Sequence, residues 1–192
     1  MANVSRVVGA RPLGTVGSGH FNGRVNLYAI PAADGTATFV GDVVKLGGTA
    51  DADGVATVAQ AAAGNTPVGV IVGFIPDYSN LALQHRLAST LRYCWVADDP
   101  DLVFEMQEDA VGGALALASV GLNADIIVGA GSTTTGQSGM QLDTSTAAVT
   151  ATLVVQIIGF VQRPDNEVAT ANAKVLCKWN VHQYKSVGVL GL

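Results

Sequence analysis

Four groups of residues in this chain have types and spacings that could do chemistry. Residues 131–138 (GSTTTGQS) have the G-x-x-x-x-G spacing of a phosphate-binding loop. That loop needs a lysine next, whose ammonium reaches the terminal phosphates, and a helix N-terminus facing the anion. Gln137 stands in the lysine's place and nothing after Ser138 has a helical pattern, so a surface loop is expected. Asp51 and Asp53, followed by Gly54, could open a calcium loop, but the third acid and the distal bidentate glutamate are missing. A β-turn is expected there. Asp98, Asp99 and Asp101 around Pro100 read as turn chemistry first and a cation site second. For nucleophilic catalysis, Cys94 could pair with His85, or Cys177 with His182, each with a third group to orient the imidazole. Cys177 and His182 lie five apart on one expected strand and so should face opposite sides. No local signature surrounds any Ser, Cys or His. The fourth group is a basic strand face of Lys174, Lys178 and His182. It could receive the acidic 98–109 segment of a neighbouring copy, or simply be solvated. No catalytic residue, cofactor or metal site is assigned.

These residues sit on a chain that reads as strands. Residues 24–30 alternate, with Val25, Leu27 and Ala29 on one side, and Asp34-Gly35 follows as a turn. Residues 36–46, 55–60 and 68–75 are further strands, bent near Gly41 and separated by GGTADADG and by the Gly64-Asn65 loop. Gly69 and Gly73 mark a bulge or a close backbone approach. Residues 76–89 read as a loop with one loose helical turn. Residues 91–97 and 102–107 alternate well. Residues 110–119 could be a short helix, weakened by Gly112 and Gly113. A short strand at 125–128, an exposed loop at 129–143 and a long apolar strand at 150–162 follow. Residues 173–184 alternate most cleanly, with Val175, Cys177, Trp179 and Val181 opposite Lys174, Lys178, Asn180 and His182. About nine or ten short strands with almost no helix predict an all-β fold, a β-sandwich or jelly-roll-like β-barrel. The body spans residues 23–185, preceded by an extended arm (1–22) and followed by a tail (186–192).

Charged residues make up only 13% of the 192, apolar ones 49%, and there are 23 glycines. Low charge with many small residues gives a weakly solvated exterior, which suits an assembly better than a free monomer. A net charge of −5 argues against direct nucleic-acid binding. Six of the fifteen acids fall within residues 97–109, whereas Lys174, Lys178 and Lys185 lie near the other end, so the chain is electrically polarised. Two cysteines make no disulfide framework, and buried free thiols are expected. No apolar run has the form of a membrane span or a secretory leader, so synthesis in the cytosol is expected. In the arm, Val4, Val7 and Val8 interleave with Arg6, Arg11 and Pro12. That pattern fits either a disordered terminus or an arm laid on a neighbouring subunit.

Several blocks carry a family resemblance: the opening MANVSRVVGARPLG, GDVVKL followed by a turn and AAAGNTPVGVIVGF, VADDPDLVFEMQEDAVGGALA, VGLNADIIVGAGSTTTGQSGMQLD and QRPDNEVATANAKVLCKWNVHQ. Together they resemble head decoration (cement) proteins of tailed bacteriophages, over most of the chain. The resemblance implies a β-sandwich or barrel on the capsid exterior, made in the host cytoplasm. It implies binding to the major capsid protein and self-association as a homotrimer, or otherwise a homodimer, with no membrane or nucleic-acid partner. Extended termini would clamp adjacent capsid subunits, so the expected contacts are Val4, Arg6, Val7, Val8, Arg11, Pro12, Lys174, Lys178, His182 and Tyr184. The alternative is a tail or receptor-binding module for host carbohydrate, which the scarcity of clustered aromatics disfavours. A hydrolase or maturation protease lacks a catalytic constellation.

Overall fold

The computed structural model describes residues 3–17 and 19–185, so the expected tail at 186–192 lies outside the described residues. The chain is all-β. Its strands are β1 (Arg11–Thr15), β2 (Asn26–Ile30), β3 (Val43–Ala50), β4 (Ala56–Gln60), β5 (Gly69–Phe74), β6 (Arg92–Ala97), β7 (Leu102–Gln107), β8 (Asn123–Ile127), β9 (Gln141–Ala148), β10 (Val155–Phe160) and β11 (Lys174–Trp179). The expected helix at 110–119 reduces to a single 3-10 turn, Leu117–Ser119.

The strands form two bodies, a barrel with its own filling and a sheet that shares a second core with the barrel wall. A closed barrel takes the order β2-β4-β3-β5-β6, and a six-stranded sheet takes the order β1-β7-β11-β10-β8-β9. Between the described strands every pairing is antiparallel except the short β2–β4 contact, Ala29 opposite Thr57, which closes the barrel. Tyr28, Ile30, Val44, Val58, Val68, Ile71, Cys94 and Val96 fill the barrel. Their neighbours Val43, Val70 and Ala97 point out of it and join a second core with Leu102, Phe104, Ile126, Leu142, Ile157, Cys177 and Trp179 of the sheet. Strands β3, β5 and β6 are thus apolar on both faces, as walls buried on both sides must be. This accounts for the near-continuous runs VV, VIV and CWVA. Trp179 sits 4.5 Å from Phe104, centroid to centroid, at the middle of the shared core.

Three expectations change at the level of elements. Residues 11–15 of the expected arm form β1, an edge strand with Arg11 opposite Glu105 and Thr15 opposite Leu102. Residues before it are tied to the same molecule. The Asn3 amide bonds Glu167 and Thr170, the Gln107 side chain bonds Val4 and Arg6, and the Ala10 N–H reaches the Gly41 carbonyl. The loop expected at 129–143 ends in β9, which hides because only Leu142 of its eight residues is buried. The long strand expected at 150–162 shrinks to β10, since the 151–154 stretch turns to let Asn180 bond Ala151 and Leu153.

Both edges of the open sheet are occupied. On β1, Pro12 has no N–H to offer, and residues 19–21 cover the outer side through Thr15 to Gly19 and Phe21 to Leu13 bonds. On β9, the Asp109 N–H bonds the Leu142 carbonyl, and the Asp109 carboxylate takes the Thr144 N–H and hydroxyl.

Candidate functional site

The phosphate-loop spacing of residues 131–138 folds onto itself. Ser132 donates to the Gln137 carbonyl, Gly136 to Ser132 and Ser138 to Val40, so these three amides are turned to the protein rather than to an anion. Gly131 lies against the ring of Phe39. The Asp51 to Gly54 stretch is the expected turn. The Asp51 carboxylate accepts the Asp53 and Val55 N–H groups and the Tyr93 hydroxyl at 2.7 Å, and the Tyr93 bond leads in holding it below the ordinary carboxylate range. The three acids around Pro100 diverge. Asp98 accepts Asn26 and Tyr28, Asp99 caps the Asp101 N–H, and Asp101 pairs with Lys185 at 2.9 Å. Among the described residues no group of three or more His, Cys, Asp or Glu side chains has the arrangement of a metal site.

The two thiols lie in the interior, unpaired with each other. Cys94 faces the barrel interior and Cys177 the shared core, and burial pushes both up to about 12, so neither is a thiolate at neutral pH. The His85 ring stacks on Phe39 at 4.9 Å, with no bond to Cys94 among the described residues. His182 departs from its expected place on the basic face. The strand ends at Trp179, the alternation stops with it, and His182 turns inward until its ring lies 5.9 Å from Trp179. There Nε2 bonds the Val68 carbonyl at 2.9 Å and Nδ1 accepts the Tyr184 N–H. Tyr184 is half exposed, with its hydroxyl 3.0 Å from that of Tyr28.

The charge polarisation read from the sequence is partly met within one subunit, because β7 and β11 are neighbours and Asp101 pairs with Lys185. Glu105, on β7, lies opposite Leu176 and takes a two-pronged bond from Arg163 at 2.8 and 2.9 Å. Lys174 pairs with Asp165 at 2.7 Å. Lys178, Arg6 and Arg11 make no ion pair among the described residues. Val4, Arg6 and Arg11 are exposed, while Val7, Val8 and Pro12 are partly covered along the sheet edge. Val8 and Pro12 also line a cavity of about 350 Å³ against Val40, Gly41, Ile71 and Val72.

Several buried polar residues escaped the sequence reading. Arg86, fully buried, donates to the carbonyls of Thr90, Pro31, Asp34 and Thr36 and lies 3.8 Å from the Asp34 carboxylate. Arg92 donates to Ile75, Leu83 and His85 and lies over the Phe74 ring at 5.1 Å. Asp42, buried, accepts Phe39 and Gln60. Glu108, wholly buried, accepts the Leu115 and Ala173 N–H groups. Burial raises both carboxyls, against those bonds. No periodicity signals such residues, because their partners are backbone groups brought together by the tertiary fold.

Among its polar groups the exterior also carries large apolar side chains. Tyr78, Leu81, Leu117, Val111, Val149 and Leu91 all expose more than half of their surface. No family model matches this chain, and neither the curated proteins nor the solved structures contain a match to it.

Proposed function

We propose that the chain is a virion structural protein that decorates the outside of a tailed-phage capsid and bridges adjacent major capsid protein subunits, as a homotrimer or otherwise a homodimer. The observation that carries the reading is the outward placement of large apolar side chains on a firmly bonded β body. Such groups gain by leaving water, and each contact buries apolar area worth about 25 cal/mol per Å². The sequence resemblance supplies the partner. A protein that binds only the assembled lattice stabilises that lattice by mass action, and many copies let each contact stay modest. With both sheet edges occupied, the adhesive surfaces are faces and loops rather than added strands.

The test is co-sedimentation of the purified protein with undecorated heads of the parent phage. Saturable binding and heads that survive higher temperature are expected. Absence of head binding together with binding to host glycans would favour the receptor module instead.

A further inference from the structure

Residues 75–91, between β5 and β6, combine two properties that the fold does not require together. Connections in compact domains have a median length of about 4–6 residues, and much longer structureless ones are either functional or disordered. This one is fastened from beneath. Arg86 and Arg92 donate to carbonyls at Leu83, His85 and Thr90 inside the loop and at Pro31, Asp34, Thr36 and Ile75 at its borders. Thr38 and Arg86 exchange backbone bonds at 3.1 and 2.9 Å, and Asn80 and Leu83 close tight turns onto Asp77 and Asn80. Yet Tyr78 is 88% exposed and Leu81 74%, with Leu87 and Leu91 also outward. The ordering entropy of the loop is therefore met during folding, while its apolar groups remain in water. That is the arrangement of a preorganised binding element.

The chemistry of the loop narrows the occupant. Its one cation, Arg86, is buried, and the charge left at the surface is the Asp77 carboxylate, which accepts the Ser79 N–H and hydroxyl. An exterior of Tyr, Leu, Ser and Asn with one carboxylate and no exposed cation has no attraction for phosphates or an anionic lipid surface. It has the composition of a protein-binding loop. Area then separates a second copy from a repeating surface. An aromatic side chain buries about 150–250 Å², so one Tyr with three partly exposed Leu falls short of the roughly 800 Å² per partner that a standalone interface needs. Such a contact is effective where many copies dock at fixed spacing.

We infer that residues 75–91 are a preordered docking loop whose Tyr78 and Leu81 insert into an apolar depression on the major capsid subunit. This rests on the capsid-binding reading above. The experiment compares wild type, Tyr78→Ser/Leu81→Ser and Leu81→Asn by titration onto undecorated heads. Melting temperature and sedimentation velocity of the free proteins are recorded alongside. The expected result is head binding weakened about ten-fold or more, with melting and self-association unchanged. The single variant keeps the test intact if the double one misfolds. Equal head affinity for all three overturns the docking loop and leaves the capsid reading standing. Substitutions that dissolve an oligomer of the free protein overturn it in favour of a second copy. Wild type that fails to sediment with heads removes the capsid reading and the docking loop together.

Discussion

His182 donates through Nε2 to the Val68 carbonyl and accepts the Tyr184 N–H at Nδ1, so both ring nitrogens are satisfied only when the imidazole is neutral. A second proton on Nδ1 would face a donor. Burial lowers its pKa; the Val68 bond and the charges of Asp98 and Asp99 act the other way, and Lys185 adds to the lowering. The unfolded chain takes up that proton near pH 6.5 while the folded one does not, so stability falls as pH drops below about 6.5. Asp42 and Glu108 titrate with the opposite sign, since raised carboxyls gain a proton more readily when folded. The diagnostic quantity is therefore the difference between wild type and His182→Gln. Urea midpoints at pH 7.5 and 5.5 should fall more for wild type than for the variant, although the variant is the less stable at pH 7.5. Identical slopes would remove His182 as the cause.

Gly9 and Gly41 cross backbone to backbone where the segment before β1 meets the turn before β3. Both have positive φ, +73° and +94°, and a Cβ on Gly41 would strike the Val8 carbonyl. Gly73, by contrast, faces open space on the barrel wall. Gly41→Ala should cost about 2 kcal/mol or more, and Gly73→Ala should stay within about 0.5 kcal/mol, both read from urea melts. Equal costs would show that the crossing does not fix the N-terminal segment. The clean alternation of KVLCKW was legible in the sequence because alternation is what half-burial requires, and LRYCWVA and LVFEMQ were legible as strands although burial in them is not confined to one face. Strand β9 was not, since a bulged edge whose partners are an aspartate and a loop needs little apolar content. Nor was the inward turn of His182, because an alternation rule cannot see where a strand stops. The Arg86 and Arg92 fastenings were invisible for a related reason: a buried cation is specified by carbonyls distant in sequence.

At the scale of the molecule, one core joins the barrel wall to the sheet, so the two bodies should unfold together. The two tryptophans report on each: Trp179 is buried in the shared core and Trp95 stands partly exposed on the barrel. Fluorescence of wild type and of Trp95→Phe, and far-UV circular dichroism, should give one coincident urea transition. Separate midpoints would mean that sheet and barrel are independent units. The order of strands in the sheet also has a temporal meaning. β10 and β11, which follow the other described strands in the chain, occupy its middle, between β7 on one side and β8 on the other. While the chain is still emerging from the ribosome, the β1–β7 and β8–β9 pairs can exist only as separate fragments. The β10–β11 hairpin must slot between them, so the fragment that holds residues near 11 joins the rest of the sheet only once residues near 179 are made. Long-range pairing of this kind makes folding slow, and it makes chains interrupted before residue 174 unable to close the sheet at all.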